Sequence, residues 1–120
     1  MARFAVAFLA LSALVGVSVA SPIEKRSSRG TWFNTGLGAC GWTNVDSDKV
    51  IALAADIYDG GAHCGKSITI TNDKTGATAT GTVADECPGC GGRDLDLTPS
   101  LFQELGNLDE GVLSISWKYN

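Results

Sequence analysis

Histidine occurs once in these 120 residues, methionine once and proline three times, and the scarcities narrow the chemistry. With His63 as the sole imidazole, a Ser-His-Asp or Cys-His mechanism has a single candidate base, set beside Cys64. The one C-x-x-C, Cys87-Pro88-Gly89-Cys90, has no second copy and too few histidines around it to complete a four-ligand zinc site, so no metal is expected. GGRDLD at 91–96 is not the G-x-G-x-x-G of a dinucleotide site, so no cofactor is expected either. There is no N-x-S/T sequon. Positive charge is also in short supply. Beyond Arg26, the basic residues Arg29, Lys49, Lys66, Lys74, Arg93 and Lys118 face twelve acidic ones, an excess of about six negative charges. Such a chain is repelled by nucleic acid and anionic membrane, and neither is an expected partner.

Only one stretch is long and apolar, and it lies at the start. Arg3 precedes a small and apolar run from Phe4 to Val19, and Ser18-Val19-Ala20 supplies the small residues of a cleavage point. Residues 1–20 are read as a secretory signal, too short to be a membrane anchor. Residues 21–26 are read as a propeptide with the dibasic end Lys25-Arg26, and 27–120 as one secreted domain, expected to be monomeric. A domain of that size has a modest core and commonly relies on covalent ties. All four cysteines, Cys40, Cys64, Cys87 and Cys90, lie in it, and an oxidising compartment favours two disulfides. From the residues alone three pairings are open, including Cys40 and Cys64 each bonded into the CPGC turn.

Period-two alternation dominates the rest. RGTWFN (29–34) suits a first strand, and KVIALAADIY (49–58) opens as a buried strand and passes into helix-compatible residues with no clear division. KSITIT and ATATGTVA flank the turn NDKTG and read as a hairpin, and Leu113, Ile115, Trp117 and Tyr119 alternate with polar residues as a closing strand. Thr98 and Pro99 predict the start of a short helix with Leu101, Phe102 and Leu105 as its apolar face and Gly106 as its stop. The Gly- and Asp-rich stretch between the first two strands is too long for a hairpin turn and predicts a shaped surface loop. The expected fold is all-β, closed into a small barrel to protect its edges.

Taken in order, Thr31-Trp32-Phe33, GLGACGWTN (36–44), HCGKSITIT (63–71), VADECPGCGGRDLDLTPSLF (83–102) and GVLSISW (111–117) resemble the expansin-like and rare lipoprotein A-like, barwin-related secreted proteins. The resemblance implies a six-stranded double-psi β-barrel with one or two short helices. Its members include non-hydrolytic expansins, endoglucanases, septal lytic transglycosylases, barwin and kiwellin-type defence proteins, a papain inhibitor, and proteins called riboflavin aldehyde-forming enzymes. The fold therefore does not name the function. The resemblance also implies the disulfides Cys40 with Cys64 and Cys87 with Cys90.

It further puts Asp85, just after a strand ending in Val83-Ala84, where the relatives carry an indispensable aspartate. Two roles stand for it: acid or ligand contact, or an acceptor tying the CPGC turn. Asp96 is the second contact in the pattern, with Arg93 as a neutralising neighbour for it or for Asp94. Thr31, Trp32, Phe33 and Trp42 complete the expected ligand-binding set, with Trp42 exposed, Trp117 in the core and Trp32 in either place. Inverting hydrolysis needs a second carboxylate roughly 6.5–9.5 Å away as base. Thr31 to Thr35, where the hydrolytic relatives hold it, contains no acid, and Asp46 and Asp48 read as turn formers. The expectation is a secreted fungal, non-hydrolytic expansin-like protein that binds or loosens cell-wall polysaccharide (cellulose, chitin or peptidoglycan) without the second domain of true expansins. The alternatives are an effector or inhibitor of a papain-like protease or a host protein, and a one-acid lytic transglycosylase.

Overall fold

Where apolar and polar residues alternate the backbone is extended, and six such segments close on one another. The computed structural model describes residues 27–120, so the expected leader and propeptide lie outside the described residues. The strands are β1 (Ser28–Trp32), β2 (Val50–Ala54), β3 (Ser67–Asn72), β4 (Thr78–Cys87), β5 (Leu95–Leu97) and β6 (Leu113–Tyr119). They run β1–β5–β2–β4–β3–β6 around a closed barrel, and β6 returns to β1. The pairs β1/β5 and β2/β4 are parallel and the other four antiparallel. Closure leaves no strand edge free to recruit another chain, and this is the six-stranded all-β architecture expected.

The interior follows from the alternation. Ile51 and Leu53 of β2, Ile68 and Ile70 of β3, Val83 of β4, Leu95 and Leu97 of β5 and Ile115 of β6 are fully buried. Helix α2 (Pro99–Gln103) adds Leu101 and Phe102. Gly81 makes room for it: a Cβ there would lie 2.6 Å from Leu101 Cδ2 and 3.1 Å from Ile51 Cδ1. Trp117 belongs to this core, as expected.

Three local expectations change. KVIALAADIY divides after Ala54, where α1 (Ala55–Tyr58) begins. Thr98 does not cap α2 with its side chain; it is wholly buried, and its Oγ1 accepts the Val50 N–H at 3.3 Å, a buried donor that would otherwise go unpaired. Strand β4 does not stop at Val83-Ala84 but runs on to Cys87, so Asp85 lies within a strand.

Candidate functional site

Register decides which side chains meet. In β5, Leu95 and Leu97 face the core, so Asp96 between them faces outward. Its neighbour in β1 is Thr31 and its neighbour in β2 is Ala52. On the other side of β2, Ala52 is paired with Asp85 of β4. Thr31, Asp96, Ala52 and Asp85 thus form one row across four adjacent strands.

Asp85 joins this row because of an irregularity. Ile51 pairs with Val83, but the next residue, Ala52, pairs with Asp85, so Ala84 is an extra residue in β4. Strict alternation would turn residue 85 to the same side as core-facing Val83. The bulge reverses the sides and brings Asp85 out beside Ala52. Glycine at 38 lets the loop between β1 and β2 lie on this bulge, because a Cβ there would collide with the Ala84 carbonyl oxygen.

The two aspartates are held differently. Asp85 Oδ1 accepts the backbone N–H of Ala39 at 2.7 Å and of Glu86 at 2.8 Å, and the Ala84 carbonyl accepts the Cys40 N–H at 3.2 Å. This carboxylate ties the loop to the barrel wall. Asp96 is half-buried and takes a 2.7 Å hydrogen bond from the Thr31 hydroxyl. Burial pushes its carboxyl above the usual carboxylate range; the Thr31 bond pulls the other way, and the neighbouring Asp85 charge adds to the rise. Of the two, Asp96 has its carboxyl raised by burial and met by a side-chain hydroxyl, whereas Asp85 is met by two backbone N–H groups.

Both disulfides adopt the pairing the resemblance implies, Cys40–Cys64 and Cys87–Cys90, and leave no cysteine free. The sulfurs of Cys87 and Cys90 and a carboxylate oxygen of Asp96 lie within 4.8 Å of one another. Ligand-type atoms converge there, but both sulfurs are spent in the disulfide and offer no thiolate. His63 stacks on Tyr119 with ring centroids 4.9 Å apart, a packing role.

Of the other expected site residues, Phe33 stays beside Asp85 while Trp32 turns to the core. Phe33 lines a shallow recess, with room for no more than about one water, together with Thr35, Gly36, Gly38, Asn44 and Asp85. Trp42 is exposed, with its ring edge against Gly65. Trp32 packs on the core, and its indole N–H is committed to the Leu108 carbonyl at 3.1 Å. Arg93 neutralises neither nearby aspartate. It lies 4.0 Å over the Trp117 ring and donates to the Trp117 carbonyl, while Trp117 Nε1 donates to the Arg93 carbonyl. The cation beside Asp94 is Arg29 instead, at 3.3 Å. Asp46 and Asp48 are turn formers. The Thr35 N–H, then the Asn34 amide and Thr35 hydroxyl, hold Asp46 below the usual range, and the Val45 N–H and Asn44 amide do the same for Asp48.

Besides Val112 before β6, two exposed apolar residues of the β1–β2 loop are not evident from the sequence. Leu37 and Val45 are 74% and 59% exposed in the β1–β2 loop. The only signal for them was an isolated leucine and valine in a Gly- and Asp-rich stretch.

Barrel, bulge and row define an expansin-like double-psi β-barrel. No protein-family profile matches the chain. Over 75% of its length it is 40% identical to the allergen Asp f 7 of Aspergillus fumigatus, and spans about a third of that protein, 35%. Its structure resembles a Clavibacter michiganensis expansin variant solved in complex with cellohexaose, with TM-score 0.70 and 29% identity over 78% of this chain and 49% of that one. It is 30% identical to the papain inhibitor of Streptomyces mobaraensis across 98% of this chain and 92% of the inhibitor. The chain belongs to the family of that papain inhibitor, within the expansin-like double-psi barrels. Its two disulfides suit an oxidising, extracellular setting.

Proposed function

We propose that this is a secreted, non-hydrolytic binder of cell-wall polysaccharide that engages glycan along the outward row of Thr31, Asp96 and Asp85, with Phe33 and Trp42 alongside. The observation that carries the reading is the half-buried Asp96 carboxyl hydrogen-bonded to Thr31. A hydroxyl and a partly desolvated carboxyl side by side can donate to and accept from sugar hydroxyls. The expansin solved with cellohexaose, whose barrel this one resembles, supports the choice of ligand class.

Hydrolysis is also disfavoured on chemical grounds. The group that meets Asp96 from β1 is a threonine hydroxyl, which cannot serve as a base toward water. Asp85 is engaged by two backbone N–H groups, and Asp46 by Asn34 and Thr35. The test is depletion of the protein by insoluble cellulose, chitin, xylan and peptidoglycan, with Asp96→Ala, Asp85→Ala and Trp42→Ala in parallel. Binding to at least one glycan, weakened several-fold in Asp96→Ala, is expected, without release of soluble sugar. Retention by none of the four would end the reading. Soluble products that vanish in Asp96→Asn would replace it with a one-acid lytic enzyme.

A second reading, a secreted inhibitor of a papain-like cysteine protease, is favoured by one specific observation: the match to the papain inhibitor runs over 92% of that protein's length.

A further inference from the structure

The Cys87–Cys90 bond closes a C-x-x-C across Pro88 and Gly89, a separation of 3 residues against 24 for Cys40–Cys64. A bond over so short a loop constrains the unfolded chain least, so opening it costs the fold least. The same spacing favours a thiolate once the bond is open, which suits the pair to exchange with other thiols. Pro88 and Gly89 are exposed and both cysteines partly so, which leaves the sulfurs within reach of an external thiol.

A carboxyl stands beside the sulfurs. Asp96 is in β5 and Cys87 in β4, with β2 between them, and on this side β2 presents only the methyl groups of Ala52 and Ala54. Across that low strand both sulfurs and a carboxylate oxygen of Asp96 come within 4.8 Å of one another. The bulge makes this possible. Val83 pairs with Ile51, Asp85 with Ala52 and Cys87 with Ala54, so the extra residue that turns Asp85 outward turns Cys87 outward as well. Among the described residues no carboxylate completes such a trio with Cys40 and Cys64, whose sulfurs lie 4.0 and 3.7 Å from the Tyr58 hydroxyl. The CPGC turn is also held by more than its disulfide. The Cys87 carbonyl accepts the Cys90 N–H at 3.1 Å, and the Asp56 carboxylate of α1 accepts the Gly92 N–H at 2.7 Å, so the sulfurs stay close when the bond opens.

The geometry points to a thiol–disulfide exchange site in which Cys87–Cys90 takes two electrons from an external dithiol and Asp96 carries a proton between the sulfurs. One thiol of the dithiol gives its proton to solvent and attacks as thiolate. A new S–S bond forms to one cysteine, the Cys87–Cys90 bond breaks, and the departing cysteine leaves as a thiolate that takes the proton of the Asp96 carboxyl. The second thiol gives its proton to Asp96 and displaces the remaining cysteine, which leaves as a thiolate and takes a proton from solvent. The dithiol departs as a cyclic disulfide, the protein holds two thiols, and Asp96 is protonated as at the start. Burial, which raises this carboxyl, favours the protonated form the first step needs, and Asp85 is the neighbouring charge that adds to the rise.

The test exposes the full disulfide-bonded domain to dithiothreitol, or to a short unfolded peptide with two cysteines. Samples are quenched by alkylation and mapped by mass. Cys87 and Cys90 should be labelled at least about tenfold faster than Cys40 and Cys64. The variants are Asp96→Asn and Glu86→Gln, each checked for folding by urea unfolding. Glu86 adjoins Cys87 but pairs with Leu53, on the other side of β4, and its variant should react like wild type. Asp96→Asn should slow both opening and reclosure about tenfold or more, the scale of a lost acid–base group, and leave the ratio of reduced to oxidised dithiothreitol at half-reduction unchanged. Faster opening by dithiothreitol alone restricts the co-reactant to small dithiols, and by both reagents extends it to protein cysteines. Opening of Cys87–Cys90 no faster than Cys40–Cys64 with either reagent overturns the exchange site. So does an unchanged rate in Asp96→Asn, an equal loss in Glu86→Gln, or a slowed opening matched by an equal shift of the half-reduction ratio, which is what a merely structural Asp96 would give.

Discussion

Asp96 shows how position alters an ordinary residue. Burial raises its carboxyl, so over the interval from about 3.8 up to that raised value the folded protein keeps a proton the unfolded chain has released. The folded state then binds more protons, and this group's contribution makes stability fall as pH rises through the interval. Asparagine removes the titration and still accepts the Thr31 hydroxyl. Urea unfolding should find Asp96→Asn more stable than wild type at neutral pH, by less than about 1 kcal/mol because solvent screens a half-exposed carboxyl. The difference should shrink toward pH 3. Asp46 and Asp48, held low by backbone donors, act in the opposite sense: their support of the loop is present at neutral pH and is lost as pH falls through their lowered values.

Among the elements, β4 carries two features of different visibility. The Ala and Thr alternation of ATATGTVA shows which side of the strand is buried, and Gly81 falls on that side, against Leu101 and Ile51. Gly81→Ala should therefore lower stability by about 1–3 kcal/mol through overpacking, as a shifted urea midpoint with an unchanged m-value. The bulge at Ala84 has no such signature. Val83-Ala84-Asp85 reads as the end of a strand, because the extra residue is defined only against the partner register of β2, some thirty positions earlier. The same limit applies to Asp94: adjacent Arg93 is the natural candidate from sequence, whereas its cation is Arg29, 65 residues away.

For the molecule as a whole, the Cys40–Cys64 bond joins the β1–β2 loop to the segment before β3 across 24 residues. Replacing both cysteines with alanine should cost about 3 kcal/mol by the chain-entropy argument. It should also speed hydrogen exchange at Ala39 and Cys40, whose amides bond to Asp85 and Ala84. A denaturant midpoint and residue-resolved exchange would check the two effects separately. Local order was enough to establish strands, turns, an all-β class, an acidic surface and the set of residues from which a site could be drawn. These depend on side-chain periodicity and composition, which act between near neighbours. Closure of the barrel settled which carboxylate is desolvated, that Trp32 goes to the core, and that Leu37 faces solvent. Those outcomes depend on residues distant in sequence that meet only when β1, β2, β4 and β5 lie side by side, so that one extra residue in β4 moves Asp85 to the outer row.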